Sequence, residues 1–252
     1  MKPLSADAWP GDWLRPDWPA PAHVRACVTT RAGGVSQPPF ESCNLGEHVE
    51  DDPIAVAENR ARLSAALDCQ PAWLRQVHGV AVVQAEPARV RDADASWSAT
   101  PGVACAVMTA DCLPVLFCDR AGSRVAAAHA GWRGLANGVL EATLDALAVP
   151  APDVLVWLGP AIGPEAFEVG PEVREAFVGQ HPEGATAFRP SGNPLYPQRL
   201  LADLYALARI RLAARGITAV YGGGLCTFSD ERFYSYRHMP RTGRFASLIW
   251  LQ

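Results

Sequence analysis

This 252-residue chain has no excess of positive charge, no apolar run long enough for a bilayer and no paired pattern of cysteines. Its formal net charge is −4 and its pI is near 5.9, whereas a nucleic-acid partner calls for a basic face. The longest apolar stretches, such as residues 103–108, fall far short of the roughly 20 residues of a membrane helix, so no membrane partner is expected. Seven cysteines, an odd number, are scattered through a mid-sized chain, unlike a disulfide scaffold. Met1-Lys2-Pro3-Leu4-Ser5-Ala6-Asp7 leads into no apolar segment of the kind a secretory signal needs. A reducing cytoplasm is the expected compartment, where thiols stay free to bind metal. No repeat, low-complexity tract or long linker divides the chain, which predicts one large domain.

What is present reads as an ordinary soluble protein, 49% hydrophobic and 19% charged. Residues 1–22 hold Trp9, Trp13 and Trp18 among prolines. Proline blocks regular structure there, and the indoles predict an extended arm lying on a catalytic domain at 23–252. Strands are predicted at 23–30, 73–78, 80–85, 103–108, 113–118, 124–128, 154–158, 217–221 and 245–251. The runs 103–108, 113–118 and 124–128 do not alternate with polar residues, as expected of central strands buried on both faces. Helices are predicted from Asp52-Pro53 to about residue 67, at 135–148, at 172–178 and at 198–215, the last stopped by Gly216. Together these predict an α/β or α+β domain with a mixed sheet.

Three residues stand where apolar runs meet glycine, proline or polar turns: His78 in Gln76-Val77-His78-Gly79, Cys112 in Asp111-Cys112-Leu113-Pro114, and His129 in His129-Ala130-Gly131-Trp132-Arg133-Gly134. Strand ends of this kind present chemistry to a cleft. Two imidazoles and a thiolate suit a catalytic zinc, which keeps three protein ligands and one open position. The spacing matches no compact metal motif, and a lone buried histidine or cysteine is usually just a packed, hydrogen-bonded group. Asp111 is a candidate to orient a metal-bound histidine or to accept a proton. Gly131, Arg133 and Gly134 precede a predicted helix and suggest an anion pocket at its N-terminus. Arg232, Arg237, Arg241 and Arg244 add local basic character suited to a small anion. Cys27, Cys69, Cys105 and Cys118 read as small hydrophobes, whereas Cys43 and Cys226 are expected to face the cleft. Cys226 or Cys105 as a fourth ligand would instead make the zinc structural.

The motifs also carry a resemblance. Thr29-Thr30-Arg31-Ala32-Gly33-Gly34-Val35-Ser36, Asn44-Leu45-Gly46, Asp51-Asp52-Pro53, Asn59-Arg60, the three segments above, 159–163, Phe233-Tyr234-Ser235-Tyr236-Arg237 and Thr242-Gly243-Arg244 occur in one order. Over roughly residues 24–250 the chain closely resembles the YfiH-like family, also called the laccase-domain or polyphenol oxidase family. The resemblance implies a single-domain fold in which helices sandwich mixed sheets, related to toxin cysteine hydrolases. It implies a purine nucleoside phosphorylase acting on adenosine, inosine and methylthioadenosine, with adenosine deaminase activity, and His78, Cys112 and His129 as metal ligands. Under that reading Arg31, Arg133 and Arg244 are candidates to clamp phosphate, and Asn44 to contact ribose or base.

Three rival readings remain. Cys112 acts as a nucleophile with His129 or His78 as base, in an amide hydrolase that removes misincorporated L-serine from peptidoglycan precursors. The chain is a non-catalytic partner protein with a structural metal and a docking arm. Or it is a copper polyphenol oxidase (laccase), against which stand its six histidines, no two separated by a single residue. A mixed Cys/His site suits zinc in the cytoplasm, with Cu(II) able to enter it in vitro. The chain departs from the family at His238, where arginine is common, and at Glu50, where glycine is common.

Overall fold

A computed structural model describes residues 12–252. Strand β1 (Val24–Val28) leads through a long loop into helix α1 (Pro53–Leu67). Asp52 caps that helix as predicted, accepting from the Ile54 N–H at 2.9 Å. Short strands follow: β2 (Gln70–Ala72), β3 (Leu74–Arg75), β4 (Val82–Gln84), β5 (Arg91–Asp92) and β6 (Ala95–Ser98). Then come the long apolar strands β7 (Val103–Thr109), β8 (Leu113–Asp119) and β9 (Val125–Ala130). Helices α2 (Trp132–Asn137) and α3 (Val139–Leu147) precede β10 (Val154–Leu158), β11 (Glu168–Val169) and helix α4 (Pro171–Val178). Strands β12 (Phe188–Pro190) and β13 (Leu200–Ala202), helix α5 (Leu204–Ala214), β14 (Val220–Gly222) and β15 (Phe245–Leu251) complete the chain.

Two sheets dominate, with orders β1-β15-β7-β2 and β14-β10-β8-β9-β6-β4. Both are mixed: β2–β7, β4–β6 and β10–β14 are parallel, while the central pairs are antiparallel. Side-chain alternation turns the apolar runs into layers. Leu116 and Cys118 of β8 join Val107, Phe245 and Ile249 in the core between the sheets. Leu113, Val115 and Phe117, one step out of phase, pack on Leu140, Leu147, Leu207 and Phe177 of α3, α5 and α4. Leu63 and Leu67 of α1 cover Ala104, Ala106, Leu248 and Trp250 on the far face of the first sheet. The result is four layers, helix–sheet–sheet–helix, which is why the central strands are apolar on both faces. Beside them, Leu14 forms an isolated bridge to Val28, Trp13 packs near α1, and Trp18 packs against the inter-sheet core. Trp9 lies outside the described residues.

Several boundaries differ from expectation. The helix predicted over 135–148 starts at Trp132 and breaks at Gly138, whose φ of 101° is left-handed. The segment 198–215 is not one helix: its first part pairs as β13, and Asp203 then opens α5 by accepting from the Tyr205 and Ala206 N–H groups. Gly216 follows with φ 75°, as a stop should. The strand predicted over 73–78 shrinks to two residues. The Gln76 side chain bonds the Met108 N–H and C=O at 2.8 Å each, in place of backbone pairing.

Candidate metal centre

Three turns at one end of the central strands bring the chemistry together. His78 lies in the loop after β3 with φ 60°. Cys112 follows Asp111 in the β7–β8 turn, and His129 faces Pro114 near the end of β9. One ligand atom from each lies within 4.8 Å of the others, and His78 Nε2 is 3.8 Å from Cys112 Sγ. Zinc–sulfur and zinc–nitrogen bonds at a tetrahedral angle separate those donors by about 3.5 Å, so the set fits a metal ion. The two rings are T-shaped, with centroids 4.7 Å apart. A Cβ at Gly131 would lie 2.8 Å from His78 Cδ2 and 3.0 Å from Cys112 Sγ, so a glycine there lets the ligands converge.

Electrostatics separates this thiol from the rest. Burial pushes Cys105 and Cys118 up to about 12 and Cys43 up to about 11. Burial would also raise Cys112, but the charges and hydrogen bonds of His129 and His78 outweigh it and draw the thiol below its ordinary value. His129 moves the other way. Burial would lower it, yet Cys112 and Asp94 hold it above its ordinary value. The site thus favours a thiolate beside a cationic or metal-bound imidazole.

The ligands open into a cleft of about 370 Å³, whose walls include His48, Met108, Trp132, Phe167, Tyr236 and Arg244. Of the three arginines proposed from sequence, only Arg244 lines it. No carboxylate among the described residues pairs with its guanidinium, whose Nη1 donates to the Thr242 and Gly243 carbonyls at 2.9 Å. Arg31 is tied to Glu41 at 3.4 Å and lies over the Tyr234 ring, away from the cleft. Arg133 is exposed and stacks on Trp132. Helix α2 is too short for an anion site, and its glycines serve packing: a Cβ at Gly134 would meet the Gly79 carbonyl oxygen at 2.9 Å.

Other assignments also change. Asn44 is fully buried, and its amide is consumed by Gly46, Asp51 and the Arg244 backbone. It shapes the loop behind Arg244 and offers nothing to a ribose. Asp111 orients neither histidine. Its carboxylate accepts from Thr227 Oγ1 and the Arg237 N–H at 2.6 Å each, locking the turn to the C-terminal segment. Cys43 is buried, Cys105 lies in the inter-sheet core, and Cys226 lines a different cavity, so none of them joins the triad. His238 packs edge-on to Phe228. Glu50, at φ 66°, occupies a conformation in which glycine is unstrained.

Sequence reasoning missed Asp94, which bonds His129, and the cleft residue His48, whereas Arg237, read only as part of a basic C-terminal group, lines the cleft. The one signal for Asp94 was a carboxylate immediately before the short strand β6.

A four-layer α/β domain with two imidazoles and a thiol converging in a cleft defines a protein able to hold a metal ion. The chain belongs to the family described as multi-copper polyphenol oxidoreductase laccase, whose model matches residues 25–252. Its relatives include a purine nucleoside phosphorylase of Pseudomonas aeruginosa, 72% identical over 95% of this chain and 98% of that one. The purine nucleoside phosphorylase YfiH of Escherichia coli is 56% identical over 94% and 97%. Among solved structures, a Neisseria meningitidis protein superposes with a TM-score of 0.92 at 53% identity, covering 96% of this chain and all of that one. YlmD of Geobacillus stearothermophilus gives 0.89 at 30% identity, covering 97% and 98%. The family's description speaks of several coppers, yet among the described residues only one such three-donor group occurs.

Proposed function

We propose that this protein is a zinc-dependent purine nucleoside phosphorylase, acting on adenosine, inosine and S-methyl-5′-thioadenosine, with adenosine deaminase activity as well. The observation that carries this reading is the convergence of His78, Cys112 and His129 in a cleft that Arg244 also lines. The names of the 72% and 56% identical relatives support the reaction class. A mixed imidazole–thiolate set suits zinc, and bound zinc supplies a Lewis acid that polarises substrate or water. The chain's own residues do the rest. Trp132, Phe167 and Met108 give an apolar wall for a purine ring and exclude water around it. Arg244 offers a guanidinium to phosphate, and held reactants account for much of the rate of such a displacement. A reducing cytoplasm suits the free thiols.

The test incubates pure protein with adenosine and phosphate and resolves adenine, inosine and ribose 1-phosphate by chromatography. Adenine with ribose 1-phosphate is expected, and Cys112→Ala should abolish both. Full phosphorolysis by protein stripped of metal would overturn the zinc role.

One observation favours a second reading. Cys112, His129 and Asp94 stand in the order of a nucleophile, its base and the group that orients the base. That arrangement suits an amide hydrolase acting on peptidoglycan precursors. Iodoacetamide separates the two: a nucleophilic thiolate reacts in the zinc-loaded protein, whereas a ligated one is protected.

A further inference from the structure

Asp94 is fully buried and surrounded by four donors. Its Oδ1 accepts from the His78 backbone N–H at 2.9 Å and from His129 Nδ1 at 2.8 Å. Its Oδ2 accepts from the Gly79 N–H at 2.6 Å and the Val77 N–H at 3.2 Å. A second link runs through the backbone, where the His129 N–H donates to the Asp94 carbonyl at 2.7 Å.

An ionised carboxylate only accepts, so the His129 proton sits on Nδ1 and leaves the Nε2 lone pair for a ligand. On the other side, three successive backbone N–H groups form a nest of the kind that binds anions. The middle one belongs to His78, held at a left-handed φ of 60° that non-glycine residues rarely adopt. A single buried carboxylate therefore fixes one imidazole through its ring and the other through its main chain.

We infer that Asp94 is the positioning residue of the metal centre, setting the tautomer of His129 and the backbone of His78 together so that both rings offer Nε2 to one ion. This rests on the metal reading of the triad but not on the reaction catalysed. Asp94→Asn keeps the size of the side chain and turns one acceptor into a donor facing other donors. It is expected to weaken zinc binding about 10- to 100-fold.

The experiment measures zinc affinity by competition with a chromophoric chelator. Asp119→Asn serves as a control, since it removes a carboxylate from a distant turn and should leave zinc affinity unchanged. Equal affinity in Asp94→Asn and the unmodified protein overturns the inference while leaving the metal reading intact. Failure of the unmodified protein to bind zinc overturns both. If Asp94→Asn does not fold, nitrogen-15 spectra of the zinc-loaded unmodified protein decide. Coordination of His129 through Nε2 with a protonated Nδ1 is expected, and coordination through Nδ1 overturns the inference.

Discussion

Arg244 and Arg133 looked alike in the sequence, each beside a glycine and close to a candidate site. Only the folded chain separates them, because Arg244 reaches the cleft while Arg133 lies outside on Trp132. Arg244→Ala is therefore expected to raise the KM for phosphate at least tenfold, a loss of about 1.4 kcal/mol. Arg133→Ala should leave it unchanged, and steady-state kinetics at varied phosphate checks both. The three candidate metal donors were legible because each stands within two residues of a glycine or proline at the end of an apolar run. Asp94 was not, since its role depends on a loop 15 to 17 residues earlier in the chain folding back over it. Asn44 misled for a related reason: a polar residue between glycine-rich turns serves a loop as readily as a ligand.

Elements with strong punctuation were read well. Asp52-Pro53 started α1, and the apolar runs gave β7, β8, β9, β10 and β15 to within a residue or two. Strands of two or three residues, such as β3, β5 and β11, are too short to carry a period, and their pairing is set by neighbours. The misread segment at 198–215 hid a cap at Asp203. Asp203→Ala removes two hydrogen bonds at the start of α5 and should cost about 1 kcal/mol, seen as a lowered midpoint in urea unfolding. The β8–β9 turn depends on a charge. Burial would raise the Asp119 carboxyl, but bonds from the Ser123 hydroxyl and the Ser123 and Arg124 N–H groups outweigh it and hold it below the ordinary carboxylate range. Because the folded value is the lower one, this stabilisation is full above the unfolded value of about 3.9 and fades as pH falls through the folded value. Asp119→Asn should thus lose about 1.5 to 3 kcal/mol at pH 7. The gap from the unmodified protein should narrow in acid unfolding below about pH 4.

Taken whole, the molecule is two sheets pressed together, with helices closing the outer faces. The class of fold followed from apolar patterning, whereas the pairing of distant segments, such as β1 with β15, left no mark that one sequence reveals. Helices shield the broad faces of a sheet but not its flanks. Strand β1 forms one flank of the four-stranded sheet, and there the chain supplies its own cover: Leu14 takes both outward-facing hydrogen bonds of Val28 at 2.9 Å, and Asp12 accepts from the Thr30 hydroxyl. Cutting away residues 1–22 would bare that flank to any other extended chain. The shortened protein should keep its far-ultraviolet spectrum yet self-associate with rising concentration, readable by light scattering. The tryptophan-bearing leader would then be a guard against clumping, with its effect felt between molecules and not within one.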